Sequence, residues 1–170
     1  MNIFFLDKSP DDAAEMHCDK HIVKMILEYS QLLSTAHRVL DGDDVHPDLY
    51  KIAHKNHPST IWTRSSIQHY SWLYRLFRMV SAEYSLRYSN SEFKVHKSWD
   101  KLGKILEWAP KNIKDTGWTD PPQCMPDYCK DDDVVKAYRN YYILEKNKFA
   151  VWKYSVKPDW YTKGISHALL

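Results

Sequence analysis

Between Met16 and Leu40 the chain inverts the pattern of an ordinary surface helix. His17, His21, Lys24, Glu28, Gln31, Thr35 and Arg38 follow one another at steps of three or four residues. On a helix they therefore form a single polar line along one side. The remainder is largely apolar: Ile22, Val23, Met25, Ile26, Leu27, Tyr29, Leu32, Leu33, Ala36, Val39 and Leu40. A narrow polar line on an apolar cylinder predicts a helix buried on most sides. Such a line must face a cleft or a buried network, because an unpaired buried polar group costs about 1–3 kcal/mol. Histidine, lysine, glutamate, glutamine and arginine can bind an anion, donate to a base edge or move a proton. Lys24 and Glu28 also read as an i, i+4 surface pair, with Gln31, Thr35 and Arg38 solvated.

The pattern elsewhere predicts further helices. Asn2–Leu6 is an apolar run suited to a strand or an extended segment. Ser9-Pro10-Asp11-Asp12 reads as a helix start, with a break near Cys18-Asp19 or a direct run into the striped helix. Asp41–Asp48 is a loop, and Leu49–Ala53 a short helix. His54, Lys55, Asn56 and His57 then precede Pro58-Ser59-Thr60, where Ser59 is an expected N-cap. Free backbone N–H groups beside these cations suit a phosphate, and a capped turn fits equally. One long aromatic helix is predicted from Thr60 to about Tyr88, with a second polar line of Arg64, Gln68, Ser71, Arg75 and Arg78. The two lines are expected to face each other across one cleft. A shorter helix follows over 95–108, then an irregular arm or lid over 110–130. Asp131-Asp132-Asp133 caps a helix running to about Trp152. The segment 152–170 interleaves aromatics and lysines, among them Trp160, Tyr161 and Lys163. That composition fits a nucleic-acid contact and a packed arm alike. The expected fold is mainly α: one helical bundle over 1–170, with an extended N-terminal segment and an irregular loop before the last helix.

Composition narrows the function classes. Seven Trp, 12 Tyr and 5 Phe in 170 residues supply a core, and only 4 Gly disfavour a glycine-rich phosphate loop. No run is apolar enough to span a membrane, so the host-cell cytoplasm is the expected compartment and no membrane partner is expected. A net charge of +2 is modest for a protein that tracks many duplex phosphates. Cys124 and Cys129 at C-x4-C spacing lack a nearby histidine pair, so no metal and no cofactor is expected.

Taken together, the extended N-terminal segment, the Lys20-His21-Ile22-Val23-Lys24 patch, the aromatic helix after a histidine turn and the Trp160-Tyr161-Thr162-Lys163 tail resemble the phage pyrimidine-dimer DNA glycosylases of the endonuclease V type. Cys18-Asp19-Lys20-His21 and His54-Lys55-Asn56-His57-Pro58-Ser59 resemble small proteins of tailed phages. The resemblance implies a helical nucleic-acid or nucleotide scaffold. In that family an N-terminal amine freed by methionine removal attacks the sugar, and a glutamate between two arginines supports the chemistry. Here Lys20 and Lys24 stand at the arginine positions and His21 at that of the glutamate, while the bulk of Asn2 disfavours methionine removal.

Three functions remain open at this point. As an enzyme of base excision or phosphodiester cleavage, the chain would use His21 or His57 as general acid/base, Lys24 and Arg64 on developing charge, and Glu28 to orient a histidine or water. As a pocket that sequesters a nucleotide signal of host defence, it would hold phosphates with Lys24, Lys55 and Arg64. As a structural protein, it would bury both polar lines. The binding set drawn from the pattern is His17, Lys20, Lys24, Gln31, Arg38, His54, Lys55, Asn56, Arg64, Gln68, Trp160, Tyr161 and Lys163, around catalytic His21, Glu28 and His57. The expected partner is a nucleotide or DNA, and a homo-oligomer stays open.

Overall fold

A computed structural model describes residues 1–168. Among these residues seven α-helices run in the order α1 (Pro10–Met16), α2 (Asp19–Asp41), α3 (Pro58–Ser65), α4 (Ile67–Tyr88), α5 (Lys97–Leu102), α6 (Val134–Tyr141) and α7 (Asp159–Ala168). A 3-10 turn covers Asp127–Cys129, and a π-helical turn, Tyr142–Lys146, continues α6. No strand forms among the described residues, and the fold is mainly α.

The first residues enter the core. Ile3, Phe4, Phe5 and Leu6 are buried, and the extended chain is fixed where the Phe4 N–H donates to the Tyr29 hydroxyl at 3.3 Å. Ser9 caps α1 with Pro10 at its first position, as the sequence predicts. The chain then breaks at His17–Cys18, and α2 restarts with Cys18 as its N-cap. The break is held by Arg87 from α4. Its guanidinium donates to the Glu15 and His17 carbonyls at 2.8 Å each, and to Glu83 at 2.9 Å and Asp19 at 3.2 Å. α4 packs on both α1 and α2.

The expected helix over Thr60–Tyr88 is two helices. Ser66 is extended (φ −151°, ψ 144°), and its hydroxyl accepts the Gln68 N–H. The freed Ile67 N–H donates to Lys114 at 2.8 Å. The irregular stretch 110–130 lies along this junction, where Thr116 bonds Ser65 and the Trp62 indole donates to Thr119. Four further expectations are corrected. Residues 49–53 are not helical, and the helix expected over 95–108 is confined to Lys97–Leu102. The helix expected to reach Trp152 ends its α-helical part at Tyr141. The segment expected as an aromatic tail carries α7; residues 169 and 170 of it lie outside the described residues.

Candidate active site

A cleft of about 290 Å³ opens between the start of the chain, α2 and the π-helical turn. Met1, Asn2 and Phe4 line it from the N-terminal segment; Lys20, His21, Lys24, Met25 and Glu28 from α2; Tyr141, Lys146 and Phe149 from the C-terminal part. Spacing of three and four places Lys20/His21, Lys24 and Glu28 on successive turns of one face. Lys24 Nζ pairs with Glu28 at 3.2 Å. Lys20 lies over the Phe149 ring at 4.5 Å and Lys146 over Tyr141 at 4.3 Å, so both ammonium groups rest on aromatic faces at the rim.

His21 is almost completely buried, and what it exposes faces the cleft. Its ring stacks on Phe4 at 4.3 Å and meets Tyr142 and Phe149 edge-on. Nδ1 lies 2.5 Å from the Tyr142 hydroxyl. Burial first, then the neighbouring His17, Lys146, Lys24 and Lys20, hold its pKa well below the usual 6.5, so the imidazole is neutral at pH 7. Asn2 contributes a buried Oδ1 that has no hydrogen-bond partner among the described residues. A buried acceptor left open costs about 1–3 kcal/mol and fits a site awaiting a donor.

His57 stands at the same end of the molecule. Its Nδ1 accepts the Ser59 N–H, which makes His57 rather than Ser59 the N-cap of α3. The Ser59 hydroxyl instead donates to the Met1 carbonyl at 3.3 Å. Burial, the chain's amino terminus and His54 lower the His57 pKa. His54, in a left-handed conformation (φ 48°), Lys55 and Asn56 are exposed on the turn before it.

Other residues singled out by the pattern serve the core. His17 is fully buried: its Nδ1–H donates to the Ala13 carbonyl at 2.6 Å, and its Nε2 accepts the Tyr29 hydroxyl at 2.7 Å. Both nitrogens are occupied, so His17 does not reach a ligand. Arg38 donates to the Leu49 and Tyr50 carbonyls, and Thr35 accepts the Ala53 N–H. Gln31 is half-buried outside the cleft lining. Arg64 donates to the Lys55 carbonyl and Gln68 to Asp115, while Arg75 pairs with Asp11 of α1. The second polar line therefore does not face the first, because the break at Ser66 and the docking of α4 on α1 turn it elsewhere. Trp160, half-buried, donates to Met16 Sδ and carries the Arg139 guanidinium 5.4 Å from its ring centre, and Tyr161 is buried against Trp152, so both are engaged within the fold; Lys163 is exposed.

The pattern missed Met1, Asn2, Phe4, Tyr141, Lys146 and Phe149 as cleft residues. The first three read as plain extended chain, and the last three fall on a segment whose helical register shifts at the π-helical turn. No group of three or more histidine, cysteine, aspartate or glutamate side chains is placed to hold a metal ion among the described residues, and no described helix is long and apolar enough to cross a membrane.

No curated protein and no solved structure matches the chain. A family model does: pyrimidine dimer DNA glycosylase, over residues 1–99. That match takes in the buried N-terminal segment, the whole of α2 with its cleft face, and the histidine turn. The recognition it carries is of the DNA-glycosylase type, with DNA as the partner. By that match over more than half its length, the chain belongs to the pyrimidine dimer DNA glycosylase family.

Proposed function

We propose that the cleft excises a damaged pyrimidine from DNA, with the amine of the chain's first residue as nucleophile. The observation that carries the reading is the meeting of the first two residues with His21, three lysines and one glutamate in a single cleft. The amine attacks C1′ of the deoxyribose and the glycosidic bond breaks, its electron pair leaving with the base, which takes up a proton. The nitrogen, now positively charged, loses one proton, and its lone pair expels O4′, which is protonated, giving an iminium between protein and opened sugar. Glu28, the one carboxylate lining the cleft among the described residues, receives a proton from the amine. His21 faces the reacting sugar, and Lys20, Lys24 and Lys146 meet the flanking phosphates. His57, its pKa lowered by burial and by the adjacent amino terminus, stands beside the nucleophile as a further polar wall of the site. His54, Lys55 and Asn56 extend the contact along the DNA backbone.

Incubation with duplex DNA carrying a pyrimidine dimer, under borohydride, tests this. The expected result is a covalent protein–DNA adduct, mapped by mass spectrometry to the first residue of the mature chain. An adduct on Lys20, Lys24 or Lys146 would refute the amine as nucleophile. Binding with neither adduct nor excision would refute the chemistry and leave the cleft as a holding pocket for a nucleotide.

A further inference from the structure

His21 has two ring nitrogens in different surroundings. Nδ1 points into the protein at the Tyr142 hydroxyl, whereas Nε2 makes no hydrogen bond among the described residues. The ring plane is fixed by Phe4 on its face and by Tyr142 and Phe149 at its edges. What His21 offers the cleft, a lone pair or an N–H, is thus decided by the hydrogen bond at its other nitrogen.

Tyr142 is completely buried and its hydroxyl carries one proton. Two groups compete for that proton: His21 Nδ1 and the thiol of Cys18. A neutral imidazole nitrogen is a good acceptor and a thiol sulfur a weak one. The hydroxyl therefore donates to Nδ1, and the ring's own proton resides on Nε2. The charged and titratable groups around the ring do not reverse this. Burial above all, then Lys146 from the π-helical turn and Lys24 and Lys20 from α2, keeps the ring neutral, and among the described residues none donates to Nε2; Glu28 is paired with Lys24, and His17 has both nitrogens engaged elsewhere.

We propose that Tyr142 is a positioning residue that holds His21 in the Nε2–H form, so that the cleft meets a neutral hydrogen-bond donor. A fixed neutral donor can polarise a sugar or phosphate oxygen without taking up a proton from solvent. A single π-helical turn supplies both the hydroxyl beneath His21 and the Lys146 ammonium beside it. Turns of this kind recur at functional sites. Both residues lie outside the stretch 1–99 matched to the family. The inference deepens the excision reading and rests on it for the reaction, though not for the tautomer.

Nitrogen NMR of the histidine-labelled protein at neutral pH determines the tautomer directly, with His21→Asn assigning the signal. The expected spectrum shows a protonated Nε2 and a bare Nδ1. In Tyr142→Phe the two nitrogen shifts should converge as the tautomers mix. Excision should slow about tenfold, the equivalent of one lost hydrogen bond, while DNA affinity holds. A bare Nε2 in the wild-type protein would overturn the proposal, and so would unchanged shifts and rate in Tyr142→Phe. If that variant does not fold, the wild-type spectrum alone decides between the two tautomers. A protonated Nε2 in a protein that excises nothing would support the proposal and count against the excision reading.

Discussion

Replacing His17 by glutamine should remove much of this protein's sensitivity to mild acid. His17 is enclosed, and burial first, opposed by the Ala13 carbonyl and reinforced by the Arg87 charge, lowers its pKa from 6.5 to about 4. The unfolded chain takes up the proton near 6.5 and the folded chain only near 4. Stability from this group is therefore complete above the former value and is lost as pH falls through the interval between them. The shift caps the loss at about 3 kcal/mol, and linkage puts it at about 2 kcal/mol by pH 5. That corresponds to about 4–8 °C of melting temperature in a chain of this size. The fold lowers the pKa values of Asp11, Asp41, Asp127 and Asp131 from 3.8, so their stabilising charge is lost at lower pH than the His17 contribution. The pKa values of His21, His37, His57, His69 and His96 are also lowered. The contributions of His37, His57, His69 and His96 appear in both proteins and cancel to first order in the difference, whereas His21, whose pKa His17 itself lowers, adds to the difference in the same direction. Glutamine can still donate to the Ala13 carbonyl and accept from the Tyr29 hydroxyl, so the variant should fold. Urea denaturation of both proteins at pH 7 and pH 5 measures the difference of differences. An equal loss in wild type and His17→Gln would show that His17 is charged inside the fold and would refute the assignment of its nitrogens.

Two further substitutions separate scaffold from site. Arg87→Leu leaves Asp19, Glu83 and two carbonyls without their shared donor; urea denaturation should show a loss of about 3–5 kcal/mol, as for a broken buried ion pair. Lys146→Ala should weaken binding to all DNA sequences alike and flatten the slope of log affinity against log salt by about 0.9, as one lost phosphate contact does. An unchanged slope would remove Lys146 from the DNA-facing set.

The polar line from His17 to Arg38 announced a helix buried on most sides, and α2 is one. Its cleft-facing stretch is confined to Lys20–Glu28, because the two ends of the line are satisfied internally: His17 on Ala13 and Tyr29, Arg38 on Leu49 and Tyr50. Periodicity tells which side of a helix is polar and is silent on what the polar atoms meet. The break at Ser66 was written locally in the Ser65-Ser66 pair, a capping signal outweighed by the aromatic run on either side. The far wall of the cleft was illegible for a different reason. Tyr142 reaches His21 across 121 positions of sequence, and the π-helical turn that aims it has no periodic signature. The stacking role expected of Trp160 and Tyr161 gave way to packing, since α7 turns both onto the core.

The seal at the α1–α2 break sets a schedule for the protein's birth. The Asp19 N–H donates to the Val151 carbonyl, the Asp19 carboxylate accepts the Lys153 N–H, and the Trp152 indole donates to Met16. These residues flank the very turn from which His21 projects. A ribosome that has released only residues 1–99 has made the stretch that defines the family, but not the clasp that steadies its reactive end or the hydroxyl beneath His21. Contacts between such distant positions form late, after the chain has paid the entropy of closing a long loop. On the excision reading, the cleft thus lacks its far wall until Tyr141, Lys146 and Phe149 have been made.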